Sequence, residues 1–342
     1  MAPATELNPY NATRPGNAFV GRETLLSTLT HGLTQGNSYA VVGGRSIGKS
    51  SLLQVLQRQA SALPGLHVGQ LDMQSLDAVT PVRLWAKLGE AITGQAEPWR
   101  VLPSDRAFET FLDQLQHHSA PLAQARGADW AACLLVDELD MAARVLPDDT
   151  FFQNLRHFLM ASPFASRIRL VATGASGMTD LIAVGSSLNC LRRQDLGCLT
   201  PEESATLVRL GWPKGASWVD ELSALTGGHP YLLQGALEEL WGHTEPITTA
   251  RLHTAAQSLL RRFPVFANWL AHLTPAARTL FRVYIRQDTW LSRDHALAHT
   301  PQAERSAFDD TQRLLAIHGV ITLQGNGQAR WNGSLFRDWF LG

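Results

Sequence analysis

The chain has 342 residues, 45% of them hydrophobic, with a formal net charge of -1 and three cysteines. That length exceeds one small core and predicts two or three domains. The near-neutral charge excludes a general electrostatic attraction to nucleic acid or anionic lipid. Cys133, Cys190 and Cys198 have neither paired nor metal-type spacing, which argues against structural zinc and for a reducing compartment. No apolar run approaches the roughly 18 residues of a membrane span, and residues 1–16 lack the basic-then-apolar order of a signal peptide. The expectation is a soluble, cytoplasmic protein with no membrane partner.

Taken in chain order, the first strong signal lies between an apolar run, Tyr39–Val42, that predicts a strand and a helical pattern of Leu52, Leu53, Val55 and Leu56. The segment Gly43–Gly44–Arg45–Ser46–Ile47–Gly48–Lys49–Ser50, followed by Ser51, satisfies G-x-x-x-x-G-K-[ST]. Its glycines let the backbone turn its N–H groups toward a diphosphate, at a helix terminus that adds positive potential. Lys49 reaches the β/γ-phosphates and the Ser50 hydroxyl enters a Mg²⁺ shell in this pattern. Only three of the 29 basic residues are lysine, Lys49, Lys87 and Lys214, so a scarce residue sits at the phosphate position. The segment predicts binding of a nucleoside triphosphate.

Leu66–Met73 then reads as a strand, and Val82–Ile92 and Arg106–His118 as helices, the latter carrying Phe108, Phe111, Leu112 and Leu115. The continuous apolar run Ala131–Val136 suits a central parallel strand and ends in Asp137–Glu138–Leu139–Asp140. Ligands bind at that edge of an open α/β sheet, so this is a Walker B pattern: Asp137 for the Mg²⁺ shell, Glu138 to polarise the attacking water. The competing reading is an acidic turn after a buried strand. A fourth strand, Ile168–Thr173, puts Thr173 either near the γ-phosphate and catalytic water or in the role of a capping hydroxyl for the next helix. Lys49, Glu138 and Thr173 are the candidate catalytic residues. A fifth strand spans Cys190–Leu196. Thr200, Pro201 and Glu203 then predict a capped helix start, and helices at Ala216–Leu225 and Tyr231–Trp241 flank Thr226–Gly227–Gly228–His229–Pro230.

Together with Asn17–Ala18–Phe19–Val20–Gly21–Arg22–Glu23, these motifs in this order resemble the AAA-like, STAND-type P-loop ATPases of prokaryotes, relatives of the archaeal ATPases and the origin-recognition ATPases. The resemblance implies an α/β P-loop NTPase core (residues 1–199) with parallel strand order 5-1-4-3-2. A helical lid (200–263) and a winged-helix domain (264–342) would follow. It implies ATP/ADP and Mg²⁺ as cofactors. Phe19, Val20, Gly21 and Arg22 would lie near the base, Thr173 at a sensor position, and Pro230 against the adenine. No sensor arginine follows Pro230; His229 is either a phosphate contact or a helix-capping surface histidine. Arg192 and Arg193 stand where relatives place an arginine finger, and the other reading makes them surface salt-bridge partners.

The C-terminal part reads as helices at 247–262 and 265–273, then around Leu280–Tyr284 and at Phe308–Ile317, followed by a hairpin over 319–331 and an aromatic helix over 335–340. Helices followed by a two-stranded wing describe a winged helix. Residues 265–342 hold eight arginines and six acidic residues, and the expected recognition helix and its approach carry Glu304, Arg305, Asp309, Asp310 and Arg313. That balance favours protein docking over a phosphate-gripping surface, and makes Trp331, Trp339 and Phe340 packing residues. The expected function is a slowly hydrolysing ATP-dependent switch that controls a separate effector or regulatory protein, as in bacterial signalling or phage defence. A DNA-associated loader, initiator or transposition ATPase and an ADP-bound, non-hydrolysing scaffold are the alternatives, and a homo-oligomer follows if an arginine acts in trans.

Overall fold

The computed structural model describes residues 7–14, 18–99, 102–212, 218–241, 247–262 and 265–342. Asn17, Lys214 and Ala216 lie outside the described residues. The chain forms two compact units, one of residues 1–21, 43–48 and 196–342, the other of residues 22–42 and 49–195.

The second unit is built on a sheet of β1 (Tyr39–Gly43), β2 (Leu66–Asp72), β3 (Ala131–Asp137), β4 (Ile168–Gly174) and β5 (Arg192–Leu196), in the order β2-β3-β4-β1-β5. β2 and β3, β3 and β4, and β4 and β1 run parallel. Ala40, Val41, Val42, Leu134 and Leu135 are essentially inaccessible, which is why β1 and β3 read as unbroken apolar runs rather than as alternation. The register sets Asp72 opposite Asp137, so the ends of β2 and β3 are level. The helix Pro81–Thr93 packs Trp85 among Phe108, Phe111, Phe151 and Phe158, with ring centroids 4.7 to 6.1 Å apart.

Two boundary differences from the sequence reading have a visible physical cause. The strand expected from Cys190 begins at Arg192, because Leu191 N–H closes a turn onto Leu188 O and only Arg192 N–H reaches Ser38 O at 3.0 Å. The helix expected to end at His118 runs from Ala107 to Arg126, through Pro121. Its last residue is anchored: the Arg126 guanidinium donates to Ile92 O (2.8 Å) and Thr93 O (3.1 Å) at the end of the helix Pro81–Thr93.

In the first unit, the helices Pro201–Gly211, Val219–Thr226, Pro230–Leu240, Thr249–Arg262 and Val265–His272 share one apolar core with Pro275–Gln287 and Phe308–Ile317. Phe336, on the helix Ser334–Leu341, lies 5.1 Å from Phe266 and 5.2 Å from Phe281, tying the last helix to both groups. The antiparallel pair β6 (Ile321–Leu323) and β7 (Ala329–Trp331) is extended by a bridge between Leu291 and Ala329. Tyr10 anchors the N-terminal segment here: its hydroxyl donates to Val208 O and accepts from Gly211 N–H, each at 2.8 Å, and its ring stacks on Trp212. Burial drives the Tyr10 hydroxyl far above the ordinary tyrosine range. Among the described residues no helix is long and apolar enough to cross a membrane.

The capped helix start is present in full. Thr200 Oγ1 accepts from Glu203 N–H (3.2 Å), and the Glu203 carboxylate accepts from Thr200 N–H (2.8 Å), with Pro201 in the first turn. Thr200→Ala is expected to cost about 1 kcal/mol, read as a lower thermal midpoint; an unchanged midpoint would mean that solvent satisfies these amides equally well.

Candidate nucleotide-binding site

The segment expected to bind phosphate is the continuation of β1. Gly43 ends the strand, Ser46 and Gly48 take positive φ (58° and 101°), and Lys49 starts the helix Lys49–Ser61. At Gly48 a Cβ would meet nothing within 4 Å, so backbone geometry rather than space requires glycine there. Arg45 and Ser46 are exposed, whereas Ile47 and Lys49 are buried.

Within the second unit the strand ends bring the remaining groups together. Ser50 Oγ donates to Asp137 Oδ2 at 2.5 Å, and Thr173 Oγ1 donates to Asp137 Oδ1. Thr173 Oγ1 also accepts from Glu138 N–H at 3.1 Å, and Thr173 O accepts from Leu139 N–H at 2.9 Å. Thr173 thus caps the turn after β3, and the helix Ser176–Ile182 has no side-chain cap. Glu138 takes a left-handed conformation, φ 56°, uncommon for a residue other than glycine. Its Oε2 accepts from Gln74 Nε2 at 2.8 Å. Gln74 lies in the short turn Met73–Ser75 after β2, and the sequence reading did not single it out. The signal available was its position just beyond the C-terminal end of a parallel strand, the edge where such sheets bind ligands.

The Ser50 hydroxyl and Asp137 carboxylate form a hard-oxygen pair, two neighbouring ligands of the type Mg²⁺ takes when phosphates and water complete its octahedron. Among the described residues no group of three or more His, Cys, Asp or Glu side chains is arranged around a metal position, so no all-protein metal cage competes with that arrangement.

Of the other expected site residues, Phe19, Val20, Gly21, His229 and Pro230 belong to the first unit, Arg22 to the second, and Arg192 and Arg193 to strand β5. Phe19 and Val20 are partly buried, Val20 against the helical core. Gly21 and Arg22 both have positive φ (69° and 66°), and Arg22 precedes the helix Glu23–Thr34. Pro230 opens the helix Pro230–Leu240. His229 is 1% exposed and its ring lies 4.4 Å from Trp269, so the surface-histidine reading is corrected: apolar packing encloses it. Arg192 is exposed, and Arg193 Nε pairs with Asp195 Oδ1 at 2.7 Å.

One contact of the segment 43–48 was not foreseen. Gly44 N–H donates to Ile317 O, at the end of the helix Phe308–Ile317, at 2.9 Å. A Cβ at Gly44 would stand 2.7 Å from His318 Cα, so the approach of the two backbones requires glycine.

No protein-family model and no curated protein matches the chain. Solved structures do. The chain is similar to the Walker-type ATPase of Pyrococcus abyssi, with a TM-score of 0.65 and 15% identity over 96% of this chain and 99% of that one. It is similar to the Aeropyrum pernix ORC2 protein, solved in ADPNP–ADP complexes, with a TM-score of 0.57 and 13% identity over 99% of this chain and 94% of that one. The Aeropyrum pernix ORC1 protein in complex with DNA gives a TM-score of 0.51 and 13% identity, over 94% and 92% of the two chains. At these identities the likeness concerns architecture. The chain has an α/β P-loop NTPase fold, with a parallel sheet and a helical lid.

Proposed function

We propose that this protein is a Mg²⁺-dependent, slowly hydrolysing ATP switch of the STAND type that controls a separate effector or regulatory protein, with residues 264–342 as its winged-helix regulatory domain after a core over 1–199 and a lid over 200–263. The observation that carries this reading is the bond from Gly44 N–H to Ile317 O. A backbone N–H of a phosphate-binding loop serves one strong acceptor at a time. Phosphate binding and docking of the 317–319 turn therefore compete. Charge-assisted hydrogen bonds exceed neutral ones by about 1 kcal/mol, so the exchange moves a balanced docked–undocked equilibrium by roughly fivefold for each amide involved.

In this reading Lys49 and the amides of 43–48 hold the β/γ-phosphates, and Ser50 and Asp137 hold Mg²⁺, which supplies positive charge to the transferring phosphoryl group. Glu138 orients the attacking water and Thr173 keeps Asp137 and the Glu138 amide in place. Phe19, Val20, Gly21, Arg22, His229 and Pro230 serve the base and the lid. The charge of the C-terminal part supports a protein target: Asp309 on the exposed side of the helix Phe308–Ile317 is bound bidentately by Arg293, at 2.8 and 2.7 Å, which uses a cation that a DNA reader would keep for phosphate.

Hydrogen exchange tests the competition directly. Saturation with Mg²⁺ and a non-hydrolysable ATP analogue is expected to accelerate exchange across 312–320, and unchanged exchange there would remove the switch. The exposed Arg192 is the candidate finger. If it acts in trans within a homo-oligomer, specific ATPase activity rises with protein concentration, whereas activity strictly proportional to concentration identifies a monomeric switch. A duplex-DNA mobility shift that weakens steeply with salt would instead favour a loader.

A further inference from the structure

Asp140 is the third carboxylate of the turn after β3 and the only one the reading above leaves without a task. It is 2% exposed. Its Oδ2 accepts from Ala175 N–H at 3.1 Å and from Arg144 Nη2 at 3.2 Å. The sequence around it makes room for the carboxylate: a Cβ at Gly174 would lie 2.7 Å from Asp140 Oδ1, and one at Gly177 would lie 3.1 Å from Oδ2. Burial of a carboxylate is costly unless it is hydrogen-bonded and charge-compensated. Here an amide and a half-exposed arginine provide that compensation.

We propose that Asp140 is a positioning residue whose buried carboxylate clamps the turn after β3 to the end of β4, keeping the Thr173 hydroxyl on Asp137 and on the Glu138 amide. The clamp completes a run of cross-links between consecutive residues. Glu138 N–H reaches Thr173 Oγ1, Leu139 N–H reaches Thr173 O, and Asp140 Oδ2 takes Ala175 N–H. The first two set the geometry of the candidate catalytic groups; the third stops the 173–175 segment from sliding away from them. A general-base role does not suit Asp140, since its carboxylate is buried away from the solvent that would supply the attacking water. The consequence for turnover rests on the ATPase reading; the clamp itself does not.

The experiment compares Asp140→Ala and Asp140→Asn in the full chain, by hydrogen exchange of segments 138–142 and 173–178, by ATP affinity and by turnover. Loss of a buried hydrogen bond to a charged acceptor predicts roughly tenfold faster exchange of these segments in the alanine variant, with the 131–136 strand unaffected. Turnover is expected to fall by about tenfold while ATP affinity stays within about twofold, the split of an interaction that orients rather than binds. Asparagine keeps an acceptor for Ala175 N–H and is expected to restore most of both signals. Parent-like exchange in Asp140→Ala overturns the clamp, and so does an equal loss in Asp140→Asn. Faster exchange with parent-like turnover overturns its role in positioning. Should the alanine variant fail to fold, Gly177→Ala disturbs the same carboxylate by steric contact and must loosen the same two segments. A parent protein that hydrolyses no ATP removes the ATPase reading, and the exchange comparison then decides the clamp alone.

Discussion

Lys49→Ala is expected to weaken ATP binding by roughly 30- to 150-fold, since a lysine–phosphate contact contributes about 2–3 kcal/mol. The side chain is 6% exposed at the first position of the helix Lys49–Ser61. Calorimetric titration with Mg²⁺ and ATP reads the loss, and far-UV circular dichroism separates it from unfolding. Asp137→Ala provides the contrast: it removes a hard-oxygen ligand and leaves the ammonium, so the Mg²⁺ requirement rises more than the affinity for metal-free ATP falls. Parent-like ATP affinity in Lys49→Ala would show that the segment 43–51 does not bind phosphate.

Much of this site was legible because its determinants are local. Glycines and a lysine at fixed spacing between an apolar run and a helical pattern specify the loop Gly43–Gly48, and the buried run Ala131–Val136 announces carboxylates at a strand end. Thr200 and Glu203 cap their helix through residues three apart in sequence, which is why that prediction could be made from spacing alone. Gln74, Asp140 and Ile317 could not be assigned in the same way. Gln74 meets Glu138 only because the β2–β3 register sets Asp72 beside Asp137, and register depends on packing across the sheet. Ile317 contributes a carbonyl, a group every residue owns, so nothing in its side chain reports the bond to Gly44. His229 illustrates the opposite error. A polar residue between two glycines and a proline reads as surface, yet the turn folds it onto Trp269.

Glu138→Gln is expected to lower the turnover number by about 10² to 10³-fold, the usual range for removing a positioned general base, while ATP affinity stays within about twofold of the parent. The substitution suits the geometry. Glutamine has the same length, tolerates the left-handed backbone at this position as glutamate does, and retains a side-chain oxygen to accept from Gln74 Nε2. The Glu138 amide bond to Thr173 Oγ1 does not involve the side chain and survives unchanged. What disappears is the second oxygen's negative charge, and with it the ability to draw a proton from water. Single-turnover measurement with saturating Mg²⁺ and ATP isolates that step from product release. Gln74→Ala in the same assay then tells how far the parent carboxylate depends on its neighbour: it keeps the charge at Glu138 and removes the 2.8 Å contact. A small effect at Gln74 beside a large one at Glu138 identifies the carboxylate itself as the group acting on water. Parent-like turnover in Glu138→Gln would assign that work to a group outside this turn, since Asp137 already accepts from Ser50 and Thr173 and Asp140 is buried.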